Sequence, residues 1–124
     1  MPARLDHTIV PARDRHASAT FVAAMLGLSP PRMVGRFAAV TLGNGVTLDY
    51  ADAEKPFDSM HYAFAVSDGE FDAVFARVRE RGLTWWGGPG HQRPNETYQR
   101  GDSRGFYFDD PDGHSLEVLT RGEG

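Results

Sequence analysis

The chain contains no cysteine among its 124 residues, which excludes disulfide bonds, thiolate zinc sites and a cysteine nucleophile. It also lacks any apolar run close to the roughly 20 residues that a transmembrane helix needs, and its first residues lack the apolar stretch of a signal peptide. There is no excess of basic residues, because the formal net charge is −4, which disfavours nucleic acid and anionic membrane surfaces as partners. We therefore expect a cytoplasmic protein that folds as a single domain over residues 1–124.

The first half of the chain has the pattern of a β-α-β-β-β module. Residues 5–10 are partly alternating and rich in β-branched side chains, which predicts a strand. Residues 14–26 carry apolar side chains at helical spacing and are followed by a glycine that suits a helix C-terminus. Residues 36–42 and 45–51 predict two strands that meet at a Gly-Asn-Gly hairpin turn.

The same order of elements then restarts. A polar linker at about 52–59 is followed by a predicted strand at 60–66 and a helix at 69–81 that again ends at Gly-Leu. The predicted fold class is α+β, with two tandem β-α-β-β-β modules and eight short strands. Module one covers about 4–51 and module two about 60–121.

Four ionisable side chains stand at matching places in the two halves. His7 and His61 lie on the first strand of each module, and Asp49 and Glu117 lie on the last. Side chains two apart on a strand share a face, and on three of the four strands the neighbours on that face are mostly small or polar. His7 is the exception, because its neighbours are Leu5 and Ile9. Burying such groups singly is costly, whereas imidazoles and carboxylates together suit one divalent cation, Zn, Mn, Fe, Ni or Co. The pattern predicts a metal site formed by all four.

The motifs "LDHTIV", "TLDYA", "HYAFAV" and "FYFDDPDGHSLEVL" resemble those of the vicinal oxygen chelate superfamily. That superfamily includes glyoxalase I, extradiol dioxygenases, fosfomycin resistance thiol transferases and bleomycin resistance proteins. The resemblance implies mixed sheets that curl around a central metal, with His7, His61 and Glu117 as ligands and Asp49 as a fourth ligand or a general base. It also implies a homodimer, and the last motif is especially similar to the fosfomycin resistance branch.

The resemblance implies a metal-dependent enzyme that binds two vicinal oxygens of a small substrate. Isomerase or lyase chemistry is favoured over dioxygenase or transferase chemistry, with Glu117 and Asp49 catalytic and Tyr107 a hydrogen-bonding partner of the substrate. The alternative is a non-catalytic protein of the bleomycin resistance type, which would bind a small molecule or antibiotic in an aromatic groove.

A glycine- and arginine-rich segment, residues 87–105, is predicted to be a long loop, either a lid over the metal or a solvated loop. Its arginines could bind a carboxylate or phosphonate group of a substrate. His114, in the Pro-Asp-Gly turn before the last strand, is expected to be structural. The substrate-binding candidates are Ile9, Thr47, Trp85, Trp86, Arg93, Tyr98, Arg100 and Arg104.

Overall fold

The computed structural model describes residues 2–121, which form two helices and ten strands. The chain divides into two compact units between Asp58 and Ser59. Each unit contains one helix and one sheet in which parallel and antiparallel pairs occur together, so the predicted α+β class and the repeated module are confirmed. No helix within residues 2–121 is long and apolar enough to cross a membrane.

The first unit has a four-stranded sheet in the order β1-β4-β3-β2. β1 runs parallel to β4, and the other neighbours are antiparallel. Its elements are β1 (His7–Ala12), α1 (Arg15–Leu26), β2 (Arg32–Val34), β3 (Phe37–Thr41) and β4 (Thr47–Asp52).

The second unit repeats this order as β5-β10-β9-β6, again with the first and last strands parallel. β7 extends the sheet beyond β6, and β8 pairs with β9. Its elements are β5 (His61–Val66), α2 (Asp68–Glu80), β6 (Trp86–Gly88), β7 (Gln92–Pro94), β8 (Tyr98–Arg100), β9 (Ser103–Asp109) and β10 (Ser115–Thr120).

The prediction of one long loop over residues 87–105 is wrong. The segment contains the end of β6, all of β7 and β8, and the start of β9, so the described chain has ten strands and not eight. β6, β7 and β8 have three residues each, which is too short for a two-residue hydrophobic period to be recognised. All three residues of β7 are exposed, and its sequence, Gln-Arg-Pro, contains no bulky apolar side chain that would indicate a strand.

The two helices begin and end in similar ways. Asp14 caps α1 by accepting a hydrogen bond from a backbone N–H of the first turn, and Ser67 with Glu70 forms a capping box on α2. Gly27 and Gly82 both adopt a left-handed conformation at the helix C-terminus, with φ of 70° and 68°. These local signals explain why the helix boundaries follow the sequence within one residue.

Each sheet buries a bulky face against its own helix. In the first unit the buried side chains include Val10 and Tyr50, and in the second they include Phe64, Phe106 and Val118. The other face carries the histidines and carboxylates, because strand side chains alternate between faces. The core thus leaves one face of each sheet free for chemistry.

Candidate metal and substrate site

A histidine and a glutamate lie side by side on the open face of the second sheet. β5 and β10 are parallel, with His61 opposite Ser115 and Ala63 opposite Glu117. His61 Nε2 lies 3.0 Å from Glu117 Oε1, within hydrogen-bonding distance. The histidine side chain is 48% exposed and the glutamate side chain only 10%, so one face of the pair is accessible from solvent.

Two tyrosines and an arginine surround the Glu117 carboxylate. The Tyr98 hydroxyl donates to Glu117 Oε2, and Tyr107 is the register partner of Glu117 on β9. The Arg100 guanidinium lies 5.0 Å from the centre of the Tyr98 ring. The His61 and Tyr107 rings are 5.7 Å apart. Every polar atom of Glu117 therefore has a defined neighbour.

Both tyrosines are held in the protonated form. Burial, and then the hydrogen bond to Glu117, raises the pKa of Tyr98. Burial and the Glu117 charge also raise the pKa of Tyr107, although Arg100 opposes this effect. At neutral pH both hydroxyls are thus hydrogen-bond donors.

A cavity of about 320 Å³ opens beside this cluster. Its lining contains two cationic residues, Arg100 and Arg121, and one acidic residue, Glu117. Arg121 is not among the residues predicted from the sequence. It directly follows β10, and the two-residue period from 117 and 119 would have identified it if continued by one step. The full lining is Ala63, Tyr98, Arg100, Ser103, Glu117, Leu119 and Arg121.

The first unit has the corresponding pair in the same register. His7 lies opposite Thr47, and Ile9 lies opposite Asp49, so His7 and Asp49 share the open face of the sheet. His7 Nδ1 donates to Asp6 Oδ2 over 2.8 Å, which leaves Nε2 as the ring atom with a lone pair. The hydrogen bond to Asp6 raises the pKa of His7, desolvation opposes it, and the charges of Asp6 and Asp49 add to the rise.

The donor atoms of the second unit fit a divalent cation. Two ligand atoms that each lie about 2.1 Å from one ion, at about a right angle, are about 3.0 Å apart. His61 Nε2 and Glu117 Oε1 have this separation, 3.0 Å. Within residues 2–121 no group of three metal-binding side chains is gathered together, so the four-ligand site stays a prediction.

The tryptophans and two of the arginines lie elsewhere in the second unit. Trp85 packs edge-on against Phe75, and Trp86 stacks on His91 with ring centres 4.0 Å apart. Arg93 donates to the Gly87 carbonyl. Arg104 binds the carboxylates of Asp68 and Asp72 on α2 and covers the Phe71 ring. Among the described residues, neither these tryptophans nor these two arginines line the Glu117 cavity.

The acidic turn before β10 is structural, as expected for His114. His114 is fully buried, and its Nδ1 accepts a hydrogen bond from the Met60 backbone N–H. Asp110 Oδ1 accepts from the backbone N–H groups of Asp112 and His114, which closes the turn. The turn fixes the start of β10 and so the position of Glu117.

Residues 4–118 match the model of the Glyoxalase/Bleomycin resistance protein/Dioxygenase superfamily. The chain belongs to this superfamily. It is 31% identical over 120 residues to the glutathione transferase FosA of Serratia marcescens, an alignment that covers 92% of this chain and 78% of that protein. The predicted superfamily and the likeness to the fosfomycin resistance branch are thus confirmed.

Two solved structures are more similar. The oxidase ChaP-H1 is 51% identical, with a TM-score of 0.95 over 99% of both chains. The oxidase ChaP-H2 is 49% identical, with a TM-score of 0.94 over 100% of this chain and 98% of that one. Relatives named as transferases and oxidases support enzymatic activity in general for this superfamily member.

Proposed function

We propose that the protein is a divalent-metal-dependent oxidase that acts on a small, negatively charged substrate with two neighbouring oxygens. The observation that carries the proposal is the His61–Glu117 pair, which has the separation of two adjacent metal ligands and lies beside an arginine-lined cavity. The similarity to two oxidases at about half of all positions favours oxidation over the isomerase or lyase chemistry suggested by the sequence.

His61 and Glu117 would hold the metal, and His7 and Asp49 are the further candidate ligands predicted from the sequence. A bound metal would supply Lewis-acid stabilisation of negative charge on the substrate oxygens and, if redox-active, oxidation chemistry. In the simplest oxidation, two electrons and two protons leave the substrate and reduce dioxygen to hydrogen peroxide. Asp49 is the candidate base for the first proton, if it is not a ligand.

The residues of the cavity would bind and orient the substrate. Arg100 and Arg121 supply positive charge, and Arg100 suits a carboxylate because its guanidinium offers parallel donors. Tyr107 would donate to a substrate oxygen, because its raised pKa keeps the hydroxyl protonated. Arg104 does not fit this role, since Asp68 and Asp72 already hold its guanidinium.

The test compares protein loaded with Fe(II), Mn(II) or Zn(II) on a panel of vicinal dihydroxy acids, with dioxygen and peroxide measured together. We expect dioxygen uptake with a redox-active metal and none with zinc, which has no redox chemistry. Substrate conversion at the same rate with zinc and without dioxygen uptake would overturn the proposal in favour of an isomerase or lyase.

Thiol transfer is the second candidate function, and the similarity to FosA over 92% of the chain favours it. It predicts that glutathione is consumed in the presence of the substrate and that dioxygen is not. The same assay with added glutathione separates the two candidates. Tight ligand binding by metal-free protein, with no turnover under any condition, would support the sequestration alternative.

A further inference from the structure

Tyr98 reaches Glu117 across an intervening strand. Tyr98 is on β8 and pairs with Gly105 on β9, and Gly105 in turn pairs with Leu119 on β10. Adjacent strands are about 4.8 Å apart, so a β8 side chain must pass over β9 to contact β10. The hydroxyl nevertheless donates to Glu117 Oε2.

The absence of a side chain at Gly105 makes this path possible. A Cβ atom at Gly105 would lie 2.3 Å from both Cζ and Oη of Tyr98, far inside van der Waals contact. The φ angle of Gly105 is not in the left-handed region, so the backbone itself does not require glycine there. The residue that needs the space is the tyrosine.

The two carboxylate oxygens of Glu117 have different partners. Oε2 accepts from Tyr98, while Oε1 faces His61 Nε2 at 3.0 Å. Tyr98 is 7% exposed, so it is packed in place and its hydroxyl cannot easily exchange Glu117 for water. Carboxylates that ligate metals are commonly oriented by hydrogen bonds of this kind, and losing one costs about 10- to 100-fold in metal affinity.

From these contacts we infer that Tyr98 is a positioning residue. Its ring occupies the space left by the missing side chain of Gly105, and its hydrogen bond holds Glu117 so that only Oε1 can bind a cation. The inference rests on the proposed function, because it assumes that Glu117 is a metal ligand. It assigns roles to two residues that do not themselves touch the metal. It also explains why a short added strand, β8, is placed against β9.

The test uses Co(II) added to metal-free protein, with the dissociation constant and the visible absorption spectrum as readouts and no turnover needed. We expect Tyr98→Phe and Gly105→Ala each to weaken cobalt binding by about tenfold and to alter the spectrum, because Glu117 becomes free to rotate or bind through both oxygens. Gly69→Ala is the matched control, since a Cβ there meets nothing within 4 Å. Thermal unfolding of each metal-free variant verifies that it is folded.

A double variant shows whether Gly105 acts through Tyr98. In a Tyr98→Ala background the ring is gone, so Gly105→Ala should cause no further loss of cobalt affinity. An equal loss in both backgrounds, or wild-type affinity and spectrum for Tyr98→Phe, overturns the inference while leaving the proposed function intact. Wild-type protein that binds no cobalt overturns the proposed function and the inference with it.

Discussion

The two units place a histidine and a carboxylate in the same sheet register but give them different surroundings. His7 and Asp49 in the first unit occupy the places of His61 and Glu117 in the second. Glu117 is 7% exposed, whereas Asp49 is half-buried. The backbone repeat thus determines where the side chains lie, and the neighbouring side chains that bury them determine how firmly they are held.

The additional strands of the second unit supply the side chains that bury Glu117. β8 brings Tyr98 onto one oxygen of Glu117, and Arg100 follows at the cavity wall. The first unit has β1 to β4 alone within its described residues, and its histidine is instead oriented by the neighbouring Asp6. We infer that the second unit holds its histidine and carboxylate more rigidly than the first unit holds His7 and Asp49.

The largest expected effect tests this difference directly. Glu117→Gln should weaken metal binding by more than about 100-fold, because it removes the charge of a buried, oriented ligand. Asp49→Asn should cost about tenfold, since a half-exposed carboxylate can be replaced by water more easily. Isothermal titration with Co(II) measures both changes.

Asp102→Asn is the control, because this exposed acid lies in the turn between β8 and β9. It should retain wild-type metal affinity. If Asp49→Asn were the more damaging of the two carboxylate variants, the inference that the second unit holds its carboxylate more rigidly would be wrong.

Much of this arrangement follows from local sequence patterns. The two-residue period along the strands places His61 and Glu117 on one face, and the glycines after each helix mark the repeat. These signals are local, so the repeated module and the strand face that carries each histidine or carboxylate could be predicted without any tertiary information.

The surroundings of Glu117 could not be predicted, because they depend on long-range pairing of very short strands. Nothing in the three residues of β8 indicates that Tyr98 pairs with a glycine and passes over it. In the sequence, Arg104 is as plausible a substrate ligand as Arg100. In the structure, Asp68 and Asp72 of α2 bind its guanidinium. Such choices between partners are decided by packing and not by local sequence.

The second prediction concerns Arg100, the last residue of β8, and Arg104, the second residue of β9. Arg100→Gln should weaken binding of 2,3-dihydroxybenzoate to the cobalt protein by about tenfold relative to catechol, which lacks the carboxylate, because a charge-assisted hydrogen bond is lost. Arg104→Gln should leave that ratio unchanged and lower the unfolding temperature slightly, since it removes exposed ion pairs. Ligand titrations followed by tryptophan fluorescence give the ratio, and equal effects of the two variants would contradict the assignment of Arg100 to the cavity.

The third prediction concerns a feature that the two units share, the glycine with positive φ that follows each helix. Gly27→Ala and Gly82→Ala should each lower the free energy of unfolding by about 1 kcal/mol, because both glycines adopt positive φ at a helix end. Urea unfolding measures the change, and Gly43→Ala, where φ is not positive and a Cβ meets nothing within 4 Å, is the control. Clearly unequal costs at Gly27 and Gly82 would show that the two helix ends are not equivalent.

The smallest expected effect concerns the way the first unit orients its histidine. Because the hydrogen bond to Asp6 is the main reason that the pKa of His7 is raised, Asp6→Asn should lower this pKa, whereas Asp49→Asn should lower it less. A raised histidine pKa stabilises the fold below the unfolded value of about 6.5, and this stabilisation is lost as the pH rises through the folded value. Asp6→Asn should therefore reduce stability at about pH 5 and leave it nearly unchanged at about pH 9. NMR titration of the metal-free protein gives the pKa and urea unfolding gives the stability, and a larger shift from Asp49→Asn than from Asp6→Asn would mean that the carboxylate of β4, not Asp6, orients His7.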